Sequence, residues 1–438
     1  MAGFKRRGFL AISKIVQVKK FAPPRSQPLE YLMIKKVKTE KLKPGMFVHD
    51  FNCGWLNHPF LRNRVLLKGV ADIEQVLEHQ IREVYIDTDH GLDAVDAPTE
   101  EFVDEGIQTE INKLEPEKPR TGGAVPLAQE IGKAKLLLGE FKQQTEILMD
   151  AVRMGRKLDL PQAAIVVEKM TESVLRNKDA LVSLARIKNK DEYTYLHSLS
   201  VAALCISFGQ HLNLEPGQIK ALGIGGLLHD IGKVRMPLWV LNKPGPLTEK
   251  EFEGMKTHVA HGNRILQDTT GVDEFSICVC HHHHERLDGT GYPDGLKGDQ
   301  ISRFGQIAAI VDIYDALTSE RCYKDAMPPT DALKKLFEWS ESYLNRSLVE
   351  QFIIHMGIYP VGTLVRLRSG FIGVVVGQGE RSLLAPVVRA VFDTKRDKLV
   401  TPFEINLSSR PAAQRLDEII GCEAPDSWNF QPENYLAA

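Results

Sequence analysis

Apolar and polar positions follow three successive patterns along the chain. Between about residues 33 and 90 the apolar runs are short and separated by turn residues. Lys43-Pro-Gly precedes strand-length runs at Met46–Phe51 and Arg64–Leu67, followed by a helix around Asp72–His79 and a strand at Glu83–Ile86. A small α+β unit is predicted. From Pro126 to about residue 356 the period becomes helical. Leu127–Met154 and Pro161–Ile187 each repeat apolar residues three and four apart; Ile165, Val166, Met170, Val174, Leu175, Leu181 and Leu184 form one stripe. Pro161 suits a first helical position. Further helices are predicted at 191–212, 216–231, 248–266, 273–284, 301–318, 330–339 and 347–356. From Gly362 to about Leu407, β-branched and alternating runs between glycines predict a few strands. The expected fold is mainly α: a helical bundle with a small N-terminal α+β domain and a small C-terminal β unit.

Composition adds exclusions. The chain has 438 residues, 43% hydrophobic and 26% charged, which suits about three ordinary domains and rules out a disordered chain, a collagen or a disulfide-stapled miniprotein. The formal charge is 55 − 57 = −2, so no global basic field attracts a nucleic acid polymer. Apolar runs such as Ala202–Phe208 fall far short of the roughly 20 residues of a membrane helix. Six scattered cysteines suit a reducing cytoplasm, and Cys278-x-Cys280 lacks the second pair of a zinc site. Charge is uneven. Residues 1–30 hold seven bases against Glu30, which reads as a disordered basic tail, or as sequence ahead of a true start at Met33. Residues 87–118 hold eleven acids and two lysines, which reads as an exposed linker. The expected boundaries are a tail at 1–32, the α+β domain at 33–90, an acidic linker at 91–125, a helical connector at 126–190, the main helical domain at 191–356, the β unit at 357–410 and a tail at 411–438.

The candidate chemistry lies in the histidines. Seven of fourteen fall between residues 229 and 284: His229, His258, His261 and His281 to His284. Asp230, Glu285, Asp288 and Asp312 are interspersed, and mixed imidazole and carboxylate donors suit iron, manganese, zinc or nickel. His229 and Asp230 follow the apolar run Ile224–Leu228, where a buried charge is costly unless paired or metal-bound. Asp230 has two oxygens and could bridge two ions. Gly232 would end this helix, and Lys233 would place a point charge near a substrate phosphate. His197 lies mid-helix with Val201, Leu204 and Phe208, as a core residue or as a ligand. Either or both of His258 and His261 could bind metal. Of His281 to His284, at most two neighbours can face one centre. Asp312 is an acid within an apolar helix, and Asp315 is less enclosed by apolar neighbours.

Leu228-His-Asp-Ile-Gly-Lys233 resembles the HD phosphohydrolase signature, and His283-His-Glu-Arg-Leu-Asp-Gly-Thr-Gly-Tyr-Pro293 resembles the hallmark of the HD-GYP subgroup. Asp312 to Arg321 with Tyr323-Lys324, and Lys243 to Thr248, resemble the family's downstream helix and inter-helix loop. The likeness covers about 190–356; residues 33–140 resemble a domain of unknown function often fused to such modules. The resemblance implies an HD-type bundle around a centre of two or three metals, often iron, acting on cyclic di-GMP. Carried over, the metal ligands are His197, His229, Asp230, His258, His283, His284 and Asp312, with Glu285 setting the register and Gly262 selecting His258. Asp230 and Lys233 are the implied catalytic residues. Lys233, Arg321 and Lys324 are implied phosphate contacts, and Gly291, Tyr292 and Pro293 a loop for substrate handling and diguanylate cyclase contact. Three-metal members carry a glutamate where Tyr193 stands, and Glu192 is displaced by 100°, so two divalent ions are expected. Hydrolysis would give pGpG, with further cleavage to GMP in some members. Alternatives are another nucleotide substrate, or a scaffold binding cyclic di-GMP or a cyclase. The terminal units are expected to regulate or to form a homodimer.

Overall fold

A computed structural model of the chain describes residues 33–53, 64–116, 124–186, 193–243, 245, 247–319, 326–380, 382–409, 417–424, 427–428 and 431–437. The basic tail lies outside these residues. The N-terminal sheet runs β1 (Ile34–Lys38), β2 (Phe47–Asp50), β3 (Val65–Leu66) and β4 (Glu83–Asp87), all antiparallel, in the order β1-β4-β2-β3. Helix α1 (Val70–Glu78) buries Val76 in a small core with Val37, Val48, Val84 and Ile86. Strand β1 was not predicted, because its lysines mask the alternation. Lys35 is nonetheless buried and pairs with Asp93 at 2.7 Å.

The acidic linker is a correction. Residues Glu100–Asn112 form a helix, α2, packed against β1 and α12 (Pro329–Trp339). Thr99 Oγ1 caps it by accepting from Phe102 N, and Glu100 and Glu101 occupy the first turn, where the helix dipole favours negative charge. Its charge run is a helix face and not a repelling coil.

The bundle comprises α3 (Leu127–Arg153), α4 (Leu160–Arg176), α5 (Lys178–Arg186), α6 (Tyr193–His211), α7 (Pro216–Leu228), α8 (Leu238–Leu241), α9 (Glu249–Gln267), α10 (Glu274–His282), α11 (Arg303–Thr318), α12 and α13 (Arg346–Met356). One continuous core joins α3 to α13. Helix α7 is buried from Ala221 to Leu228, as expected for a helix apolar on every side. The stretch predicted as one helix from Pro161 to Ile187 breaks at Asn177. Its Oδ1 accepts from Asp179 N, starting α5, while its Nδ2 donates to Val125 O.

The C-terminal sheet has the order β8-β7-β6-β5-β9, with β5 (Leu364–Leu367), β6 (Phe371–Gly377), β7 (Val387–Asp393), β8 (Lys398–Asn406) and β9 (Ile419–Cys422). The expected 411–438 tail therefore contributes a strand: β9 pairs antiparallel with β5, and Leu436 is fully buried. No described helix is long and apolar enough to cross a membrane.

The N-terminal domain is seated on α12 through a buried polar network. Glu338 Oε1 accepts from Asn52 Nδ2 at 2.9 Å and Tyr85 OH at 2.8 Å, and pairs with Lys36 Nζ at 2.9 Å. Asn52 Oδ1 in turn accepts from Lys335 Nζ and Trp339 Nε1, both at 3.1 Å.

Candidate metal centre

Helix α7 delivers His229 to the interior as its C-terminal cap, 1% exposed, and Asp230 follows immediately. The chain then tightens into a 3-10 segment, Ile231–Arg235. Gly232 does not end α7, contrary to expectation, since that helix stops at Leu228. Its role is close approach: an added Cβ would lie 1.8 Å from His258 O and 2.5 Å from Gly262 N. The glycine lets α9 press its His258 backbone against the turn that carries Asp230.

Asp230 sits between two groups of imidazoles. Its Oδ2 is 3.6 Å from His197 Nε2 and 3.2 Å from His229 Nε2. Its Oδ1 is 3.3 Å from His258 Nε2 and 3.9 Å from His283 Nε2. Asp312 Oδ1 completes the first group, 3.1 Å from His197 Nε2 and 3.8 Å from His229 Nε2. His284 completes the second: the ligand atoms of Asp230, His258, His283 and His284 lie within 4.8 Å of one another, as do those of His197, His229 and Asp312. One carboxylate thus offers an oxygen to each of two donor sets, brought together from α6, α7, α9, α10 and α11.

The rings are aimed by their outer nitrogens. Nδ1 of His229, His258 and His283 lies 2.8, 2.6 and 2.8 Å from the carbonyl three residues earlier, on Gly226, Met255 and Cys280. Each Nδ1–H donates outward, so each Nε2 turns a lone pair inward. His229 Nε2, His258 Nε2, His283 Nε2 and Asp230 Oδ1 are fully buried with no hydrogen-bond partner. Orphaned atoms of this kind, concentrated at one point, fit a metal ion. His197 Nδ1 instead faces Asp315 Oδ2 at 2.7 Å, and Ser200 Oγ donates to the other Asp315 oxygen. Asp315 was expected to be less enclosed than Asp312; it is the more buried, at 1% against 8%. The signal was available, since an acid three residues after Asp312 returns to the same side of a helix.

Electrostatics agree with a cationic occupant. Burial pushes the Asp230 carboxyl up, but Lys233 and His229 overcome it and hold it well below the usual range. Asp312 is likewise held low against burial, by His197 first. Burial, reinforced by His229, lowers His283 to about 3, and burial beside His283 lowers His284 strongly, so both rings stay neutral and able to ligate. His229 moves the other way: burial opposes its charge, but Asp230 raises it.

The remaining predicted residues divide. Lys233 Nζ lies 2.5 Å from Asp230 Oδ2 and is partly exposed, at the rim of the centre. His261 is exposed, His281 pairs with Asp294 at 2.7 Å, and His282 meets Ser302 at 3.2 Å; none joins the centre. Glu285 accepts from Asp294 N at 2.8 Å and Leu296 N at 3.0 Å, drawing the following loop back over the histidines. An added Cβ at Gly291 would lie 2.4 Å from Arg286 N, so this loop folds tightly on itself. Tyr292 stands with its ring 4.6 Å from that of His284, beside the exposed Pro293. Arg321, Lys324 and Glu192 lie outside the described residues, as does the side chain of Tyr193.

Comparison with known proteins identifies the family. Residues 169–348 match the HD domain family, and residues 34–163 match a domain of unknown function, DUF3391. The chain is 40% identical over 400 residues to cyclic di-GMP phosphodiesterase PA4108 of Pseudomonas aeruginosa, covering 91% of this chain and 94% of the relative. It is 41% identical over 141 residues to 3'3'-cGAMP-specific phosphodiesterase 1 of Vibrio cholerae, covering 32% of each. Among solved structures, the HDG"Y"P protein Bd1817 of Bdellovibrio bacteriovorus matches at 18% identity and a TM-score of 0.43, over 73% of this chain and 98% of that one.

Proposed function

Since the chain belongs to the HD-GYP-type cyclic di-GMP phosphodiesterases, we propose that it hydrolyses cyclic di-GMP at the centre around Asp230. The observation that carries this reading is one buried carboxylate whose two oxygens face separate sets of inward-pointing imidazoles. We assign His197, His229 and Asp312 to one ion and His258, His283 and His284 to the other, with Asp230 shared. Two divalent transition-metal ions held there, iron first and manganese, nickel or zinc as substitutes, would supply Lewis acidity towards the phosphodiester and lower the pKa of a water.

The chain's own groups do the rest. The outward Nδ1 hydrogen bonds keep the imidazoles in one tautomer. Asp230 fixes the relation between the two donor sets. Lys233, ion-paired to Asp230 at the rim, balances negative charge building on the phosphoryl oxygens, and Arg321 and Lys324 join it. Tyr292, Gly291 and Pro293 wall the substrate side. The first product is the linear dinucleotide pGpG, with GMP if the second bond is also cut. Diguanylate cyclase contact through the loop, homodimer formation and a cytoplasmic location belong to the same reading.

The likeness to a 3'3'-cGAMP enzyme over a third of the chain favours testing the mixed dinucleotide alongside. A relative matched along 91% of the chain is named a cyclic di-GMP enzyme, which favours that substrate. Anaerobic purification, metal analysis and hydrolysis assays with both dinucleotides on one sample test the proposal. Two ions per chain and preferred cleavage of cyclic di-GMP are expected. A metal-loaded sample that binds the dinucleotide without cleaving it would overturn the reading.

A further inference from the structure

The N-terminal domain contacts the helical domain at two places near in sequence to residues of the centre. The first is the seat on α12, where Glu338 is enclosed by Lys36, Asn52, Tyr85 and Lys335. Helix α12 follows α11, which carries Asp312, and the sequence between them holds Arg321 and Lys324. The second is a single ion pair. Arg82, just before β4, places Nη2 3.1 Å from Asp288 Oδ2. The Asp288 side chain is only 3% exposed, while that of Arg82 is 54% exposed. Asp288 also organises its own loop: Oδ1 accepts from Thr290 N at 3.0 Å and Thr290 Oγ1 at 2.7 Å. The same loop carries Tyr292 back to His284 through Tyr292 N donating to His284 O at 3.2 Å.

Beside this pair, a cleft of about 710 Å³ runs between the two domains, with Lys38, Gln80 and Arg82 on one side and Asp288, Gly289 and Tyr343 on the other. Asp288, Gly289 and Thr290 of the loop therefore line this cleft. Asp288 Oδ2 is buried and accepts no hydrogen bond, so among the described residues its charge is balanced by the ion pair with the half-exposed Arg82. The seat on α12 fixes where that guanidinium can be.

We propose that the N-terminal domain is a positioning element of the active site, in which Arg82 holds the 288–297 loop in register through Asp288. Arg82 touches neither the ligands nor the reacting atoms. Its effect passes through the loop, so it acts on how the dinucleotide is held and not on the metals. The kinetic part rests on the cyclic di-GMP reading above; the structural part does not.

The test uses the full-length, metal-loaded protein with Arg82→Ala and Arg82→Lys. Hydrogen exchange of the 286–297 peptide is expected to speed up about five- to tenfold in Arg82→Ala and to return towards wild type in Arg82→Lys, with α12 still protected. KM for cyclic di-GMP should rise by a similar factor, while metal content, kcat and turnover of bis(p-nitrophenyl) phosphate, too small to need the loop, stay unchanged. Unaltered loop exchange in Arg82→Ala would overturn the proposal. An equal loss on both substrates would also overturn it, because that would place Arg82 in the chemistry. If wild type failed to cleave cyclic di-GMP, the functional reading would fall, and loop exchange would still decide the role of Arg82.

Discussion

Two buried polar clusters in this molecule look alike by composition and differ in one respect. The seat around Glu338 holds two lysines, an asparagine, a tyrosine and a tryptophan, and among the described residues each of its buried polar atoms has a partner. The cluster around Asp230 holds five histidines and two aspartates, and four of its innermost atoms have none. Protein groups alone complete the first; the second is arranged around something the chain does not supply. Burial and charge do not separate a binding centre from a structural network. Directed, unsatisfied lone pairs do.

The largest test of that contrast is Asp230→Asn. The amide keeps the shape but removes the charge and one acceptor oxygen, so the two donor sets lose their shared anion. Phosphodiesterase activity should fall by about 10³-fold or more, as expected when several kcal/mol of electrostatic stabilisation disappear. Metal analysis should show fewer than two ions per chain. Retention of both ions with full activity would break the comparison. Glu338→Ala probes the other cluster. It leaves Lys36 and Lys335 with only their more exposed partners Glu83 and Asp50, and should destabilise docking of the N-terminal domain by about 2 kcal/mol in urea unfolding. Metal content of the folded protein should not change. Loss of metal in Glu338→Ala would mean that the two clusters are not separate devices.

Much of the candidate centre could be proposed from contiguous motifs, although the choice of His283 and His284 among four successive histidines, and of His258 over His261, came only from the family resemblance. His229-Asp230 and His283-His284 each carry adjacent candidate donors on one short stretch, and an acid such as Asp312 inside an apolar helix stands out wherever it occurs. The bundle was legible for a similar reason: helices α6, α7, α9 and α11 follow strong periodicity or continuous apolar runs. What was hidden depends on distant partners. Asn52 and Glu338 are 286 positions apart, and neither carries a local mark of the hydrogen bond between them. The same holds for Arg82 and Asp288. Helix α2 was hidden by its own charges, which look like a linker until Thr99 is seen to cap the helix and the helix to pack against α12 with Ile111 buried. Strand β9 lies in a segment whose apolar residues make sense only against β5.

Asp315→Asn sharpens the comparison from inside the centre. The outer nitrogen of His197 rests on a carboxylate, whereas those of His229, His258 and His283 rest on backbone carbonyls. The amide can turn either its oxygen or its nitrogen towards the ring, so the tautomer and the basicity of His197 are no longer imposed. Metal affinity at the His197 set should drop about 10- to 100-fold, with the His258 set nearly unaffected. Titration of metal-free protein should then resolve one tight and one weakened site. A uniform loss at both would mean that Asp315 supports the fold and not the ligand.

The smallest expected effect is on pH dependence, and it separates the clusters by sign and by range. Burial would raise the Glu338 carboxyl, but Lys335 and Lys36 hold it below its ordinary value. A folded-state pKa below the unfolded one gives stability that is fully present above the unfolded value, near 4.5, and is lost as pH falls through the folded value. Lys36 and Lys335 are raised despite burial, by Glu338 among the charges around Lys36 and by Asp50 and Glu338 around Lys335. Their contribution is fully present below the unfolded value, near 10.5, and is lost only above it. The seat should therefore be indifferent to pH between about 5 and 8, the range in which imidazoles exchange protons for metal. Urea midpoints of the metal-free protein should show no pH-dependent contribution from Glu338 across that range, so that wild type and Glu338→Gln differ by a constant amount. Activity of the metal-loaded protein should decline towards pH 5 as protons compete for the histidines. A wild-type-minus-variant difference that changed between pH 8 and pH 5 would show that the seat titrates with the centre, and the distinction between a closed cluster and an open one would fail.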